Sequence, residues 1–73
     1  THRTYLAYLP LVSACRPDWD TATLERKTFC LITTMQQSFL RHKVILQLYG
    51  IDLTAPNERK AFHSQLLHDI IGV

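Results

Sequence analysis

The chain has few of the residues that interrupt regular structure. Only two glycines and three prolines occur in 73 residues, and none lies between Thr21 and Tyr49. With glycine only at positions 50 and 72, there is no loop that could cradle a phosphate. Cys15 and Cys30 are the only cysteines, too few for the disulfide framework of a small secreted scaffold. No apolar run approaches the roughly eighteen residues of a membrane span, and the opening stretch lacks the apolar core of a signal peptide. Charge is sparse as well. Charged residues make up 19% of the chain and the net charge is +2, a weaker positive field than nucleic-acid binders carry.

What is present is ordinary apolar content, 47% of residues by the wider count, which argues against disorder. The length suits one small domain over residues 1–73, with a stability margin of a few kcal/mol. So few charges leave part of the apolar set to face a partner.

The breakers divide the chain into three parts. In residues 3–15, Pro10 argues against one regular helix and for one or two short helical pieces. Asp18 and Asp20 are both N-cap candidates for a long helix from about Asp20 to Tyr49. Leu24, Thr28, Leu31, Met35, Phe39, His42, Leu46 and Tyr49 follow a spacing of three and four along it, and Phe29, Ile32, Leu40, Val44, Ile45 and Leu48 widen that face. A kink between Leu40 and Lys43 is compatible with this pattern. Gly50 stands where a left-handed C-terminal residue belongs. Thr54-Ala55-Pro56-Asn57-Glu58 then reads as a helix start, with Thr54 as a hydroxyl cap and the helix running from about Pro56 to Ile71. Phe62, Leu66, Leu67, Ile70 and Ile71 form its apolar stripe. The expected fold is all-α, a three-helix arrangement with one long central helix. The alternative is an α+β fold with short buried strands at 28–34 and 43–48, where β-branched and aromatic residues concentrate.

No catalytic constellation emerges. His63 and His68 are five residues apart, about 140° around a helix, and so cannot share a metal from one helix. His63 and Ser64 point about 100° apart, and Ser13 and Ser38 have no placed base. No enzymatic activity, metal or cofactor is expected. Cys15 and Cys30 have apolar sequence neighbours, so both are expected to be reduced thiols packed as small hydrophobes, in an intracellular, cytoplasmic setting.

The expected function is protein–protein interaction, as an adaptor, regulator or small subunit that binds another protein or a second copy. Phe39, Leu40, Val44, Leu48, Leu67 and Ile71 are the expected contact residues. The alternative is a small nucleic-acid-binding regulator using Arg41, Lys43, Arg59 and Lys60.

Leu46-Gln47-Leu48-Tyr49-Gly50-Ile51-Asp52-Leu53, with Asn57-Glu58 and then Phe62-His63 through Leu67 to Ile70-Ile71 after it, resembles the end of the paramyxovirus phosphoprotein X domain. That family is a three-helix bundle that binds a helix-forming segment of the viral nucleoprotein, so the resemblance implies a helix-in-groove module. It covers residues 46–73 with a gap and no diagnostic motif, and residues 1–40 have no counterpart in it.

Overall fold

A computed structural model describes residues 2–73, the side chain of His2 excepted, and shows an all-α fold. Four helices succeed one another: α1 (His2–Cys15), α2 (Thr21–Leu40), α3 (His42–Tyr49) and α4 (Pro56–Ile71). No strand occurs among the described residues, and 28–34 and 43–48 are both helical.

Helix α1 runs unbroken through Pro10, where the sequence argues for an interruption. Proline denies the Leu6 carbonyl its usual N–H partner. Both Leu6 and Pro10 are exposed, so the freed carbonyl lies on the outer side of α1, where water can hydrate it. The helix stops at Cys15, and Arg16 secures the turn between α1 and α2. Its guanidinium donates to both carboxylate oxygens of Asp18 at 3.0 and 2.9 Å. It also donates to the Ile71 carbonyl oxygen at 2.8 Å and lies over the Trp19 ring, 4.5 Å from its centroid. One side chain thereby ties the end of α1 to the end of α4.

Of the two capping candidates, Asp20 performs the role, accepting from the Thr23 N–H at 2.8 Å. Hydrogen bonding from Thr23, through its side chain first and its N–H second, holds the Asp20 carboxyl below its ordinary value; hydrogen bonding to Arg16 does the same for Asp18. At α4 the expected hydroxyl cap is absent. Ala55 occupies the cap position, and the Thr54 hydroxyl donates to Asp52 instead, at 2.6 Å.

The long central helix is divided at Arg41 (φ −104°, ψ 30°), within the stretch where the sequence permits a kink. The cause is local. Phe39 O would bond the Lys43 N–H in a continuous helix, but here it accepts from His42 Nδ1–H at 2.9 Å. The Phe39 and His42 rings also approach, with centroids 5.7 Å apart. The Arg41 carbonyl then accepts from the N–H groups of Val44 and Ile45, starting α3 afresh.

Helix α2 is the common packing partner of α1 and α4 and carries nearly all the tertiary contact. The core forms where Val12, Leu31 and Ile71 meet, at 3%, 0% and 1% exposure, with Trp19, Leu24, Met35, Leu66, Leu67 and Ile70 packed around them. Leu53 is buried in the connection between α3 and α4. Gly72 has φ +83°, a conformation that calls for glycine, and a Cβ there would come within 2.9 Å of Arg16 Nη1 and displace the guanidinium end.

Thr28 is fully buried, and its hydroxyl has no hydrogen-bond partner. An unpaired buried hydroxyl costs about 1–3 kcal/mol. Thr28→Val, which replaces it with a methyl group of similar size, is therefore expected to raise stability by about 1 kcal/mol, seen as a higher unfolding midpoint in urea.

Candidate functional site

The core is small, and the apolar residues outside it are large. Leu40 is 74% exposed, Tyr49 68%, Leu48 67% and Phe29 62%, with Phe39, Val44 and Leu46 close to half exposed. Phe29 lies midway along α2 and the rest at the end of α2 or on α3; on α1, Leu6 and Leu11 are also exposed, at 52% and 62%. Helix α3 buries none of its residues; only His42 and Ile45 are partly covered. The pattern stems from the break at Arg41. Upstream of it, Leu24, Thr28, Leu31 and Met35 share the face turned toward α1 and α4. Downstream the phase is lost, and the continuation of that stripe at Leu46 and Tyr49 is turned outward; Phe39, in the last turn of α2 before the break, is already 45% exposed.

Three shallow grooves border this surface. One, of about 610 Å³, lies between the start of α1 and α2 and is lined by Tyr5, Phe29, Ile32 and Gln36. A second, of about 500 Å³, lies where the end of α2 meets α4, with Met35, Phe39, Leu40 and His63 in its walls. The third, of about 490 Å³, joins the end of α3 to α4 through Tyr49, Ile51, Phe62 and Ala61, with Glu58 and Gln65 on its rim. Gln36 belongs to the first two, so the grooves adjoin along α2, with polar Gln36 between the apolar walls at Phe29 and Phe39 and with Glu25, Arg26 and Thr33 also lining the first.

The expected contact residues separate into two groups. Phe39, Leu40, Val44 and Leu48 are exposed and neighbour one another along the end of α2 and α3. Ile71 does not join them. At 1% exposure it is part of the core, and a partner cannot reach it. Leu67 is half-buried against the same cluster. Both fall where the apolar stripe of α4 closes on α2, and hydrophobic spacing alone does not distinguish such positions from a free stripe. Leu46, Tyr49 and Phe29 belong to the exposed surface although the sequence places them on a core face or its flank. For Leu46 and Tyr49 the signal would have been the helix break, which no glycine or proline marks; Phe29 lies well before the break, on the side of α2 turned away from the core.

Charges frame the surface unevenly. Arg41 and Lys43 stand exposed at the start of α3, with the exposed Glu58 and the partly covered Asp52 beyond its end. Arg59 and Lys60 are on the first turns of α4, a helix that α3 hardly touches. Among the described residues Arg16–Asp18 is the one ion pair, which leaves Arg41, Lys43 and Glu58 without salt-bridge partners. The Asp52 carboxyl is held below its ordinary value by the Thr54 hydroxyl and N–H, and the positive tendency of His42 adds to this.

Desolvation, and after it repulsion from Arg59, lowers the pKa of His63 from its ordinary value. A histidine that binds its proton more weakly in the folded state than in the unfolded state favours folding above the unfolded pKa of about 6.5 and loses that advantage as the pH falls through the folded value. A drop in melting temperature between pH 7.5 and 5 is therefore expected, smaller in His63→Gln than in the wild type.

Both thiols are unpaired and exposed, at the end of α1 and on the outside of α2, and not packed as small hydrophobes. Val12 near Cys15, and Leu31 and Ile32 beside Cys30, point inward from other positions on the helix turn, while Phe29 and Ala14 share the thiols' exposure. Among the described residues no three histidine, cysteine or acidic side chains come together to hold a metal ion, and no helix is long and apolar enough to cross a membrane.

Compared with protein-family models, curated proteins and solved structures, the chain matches none, and the likeness of residues 46–73 to the X domain gains no support from these comparisons.

Proposed function

We propose that this chain is a protein–protein interaction module that binds through the apolar surface formed by the end of α2 and by α3. The observation that supports the reading is α3 itself, a helix with four large apolar residues close to half exposed or more and none buried. Soluble chains seldom leave so much contiguous apolar surface without a use for it. The whole molecule agrees with this. A compact chain of 8.5 kDa is expected to expose about 4,650 Å², and this one exposes 5209 Å². Its radius of gyration is 13.0 Å, against about 11 Å for a compact domain of this length.

A standard interface buries about 800 Å² on each partner. At ~25 cal/mol/Å² its apolar part contributes on the order of 10 kcal/mol gross. Association entropy and side-chain ordering offset much of that, which gives micromolar affinity. The role is binding, with no catalytic step assigned to any residue.

The test is co-purification of whatever the wild-type chain retains, identified by mass, beside the variant carrying Leu40→Ser and Leu48→Ser. The expected result is a protein partner that the wild type keeps as salt is raised and the variant loses. Retention unchanged in the variant would overturn the reading. Nucleic acid shed steeply with salt would replace it with a phosphate-binding role for Arg41, Lys43, Arg59 and Lys60.

A further inference from the structure

On the reading that α3 is a binding surface, we infer that its occupant is a second copy of this chain, docked antiparallel along α3 about a two-fold axis near Leu46. The surface is self-complementary in that arrangement and in no parallel one. Its apolar centre, Val44 and Leu48, lies between a basic end, Arg41 and Lys43, and an acidic end, Asp52 and Glu58. An isologous two-fold contact sets each residue against the one equally far on the other side of the axis. Val44 of one copy then meets Leu48 of the other. The basic end of each copy faces the acidic end of its mate.

Leu40, the most exposed large apolar side chain, lies six positions before Leu46, and Asp52 six positions after it. The same symmetry therefore carries Leu40 toward the second copy's groove between Tyr49, Ile51 and Phe62, whose rim holds Glu58. Among the described residues Glu58 and both cations have no ion-pair partner, and Glu58 accepts only a long hydrogen bond of 3.4 Å from the Asp52 N–H, so the contact supplies a charge partner to each. The area is adequate. Leu40, Val44 and Leu48 expose 74%, 46% and 67% of their surfaces, and with Tyr49 at the groove they supply several hundred square ångströms, a large share of what a standard interface takes from each partner.

Sedimentation equilibrium in a reducing buffer, from about one micromolar to about one millimolar, tests this with a reciprocal charge swap. The wild type is expected to pass reversibly from monomer to dimer mass. One variant carries Arg41→Glu and Lys43→Glu, the other Glu58→Arg. Each alone sets like charges together at both ends of the contact and is expected to dimerise at least tenfold more weakly than the wild type. Mixed in equal amounts, they restore opposite charges at both ends, and a dimer near wild-type affinity should return. Circular dichroism establishes that each variant is folded, and Gln65→Arg on the same rim replaces Glu58→Arg if the latter is not. A wild-type chain that stays monomeric throughout overturns the inference, as does a dimer indifferent to both variants or a mixture that fails to associate. Those outcomes remove the second copy as occupant, whereas the binding role stands or falls with the retention experiment above.

Discussion

Leu31→Ala is expected to remove a large part of the protein's stability. Leu31 is 0% exposed and is where α1, α2 and α4 meet, through Val12 and Ile71. Truncating such a leucine removes its transfer free energy and leaves a cavity that a tightly joined site cannot close, at about 2–5 kcal/mol. A chain of 73 residues has roughly 4–11 kcal/mol of stability in total. The loss is therefore a large fraction of the whole, equivalent to a fall in melting temperature of roughly 10–30 °C for a domain this small. Thermal unfolding monitored by circular dichroism checks it, with Phe29→Ala as the internal comparison. Phe29 is two residues away but 62% exposed, and its loss should move the midpoint by only a few degrees.

The second large effect is a separation of folding from association. The double variant Leu40→Ser with Leu48→Ser is expected to retain its helicity and melt within a few degrees of the wild type. The two leucines are 74% and 67% exposed, so little apolar contact is lost from the monomer. Association should weaken at least tenfold, because a leucine side chain fully buried in an interface contributes about 1.5–3 kcal/mol. If these residues were core, the pair would cost the fold as much as Leu31→Ala or more. Circular dichroism and sedimentation on one sample distinguish the two cases, and a loss of helicity would refute the surface assignment.

Much of the fold was legible in the sequence because its cues are local. Asp20 at the start of α2, Gly50 after α3, and Pro56 and Gly72 at the ends of α4 all act through their nearest backbone neighbours. The helical spacing of Leu24, Thr28, Leu31 and Met35 correctly marks the core face of α2. Competition between groups was harder to read. The break at Arg41 arises because a histidine ring takes a carbonyl from the backbone, and α4 starts one residue later than the hydroxyl would allow, with Ala55 at the cap position and Thr54 turned to Asp52. Pro10 runs counter to its local rule because the carbonyl it strands faces water.

The candidate surface was half legible for a related reason. Phe39, Leu40, Val44 and Leu48 stand out as more apolar surface than a small bundle can cover. Ile71 has the same chemistry and the same helical spacing as a surface contact would have. Only the packing of α4 on α2 assigns it to the core, and that is set by Arg16 holding its carbonyl and by Val12 and Leu31 closing over its side chain.

Amide hydrogen exchange tests most directly the claim that α3 lies outside the folded core and is covered by a second copy. In dilute solution the amides of residues 44–49 should exchange by local opening, orders of magnitude faster than those of residues 31–35 in α2. As the protein is concentrated through the dimerisation range, protection should rise in α3 and along the 50–58 segment, while the α2 core changes little. If the α3 amides are as protected as residues 31–35 in the dilute monomer, the helix is already covered within its own chain, contradicting the account.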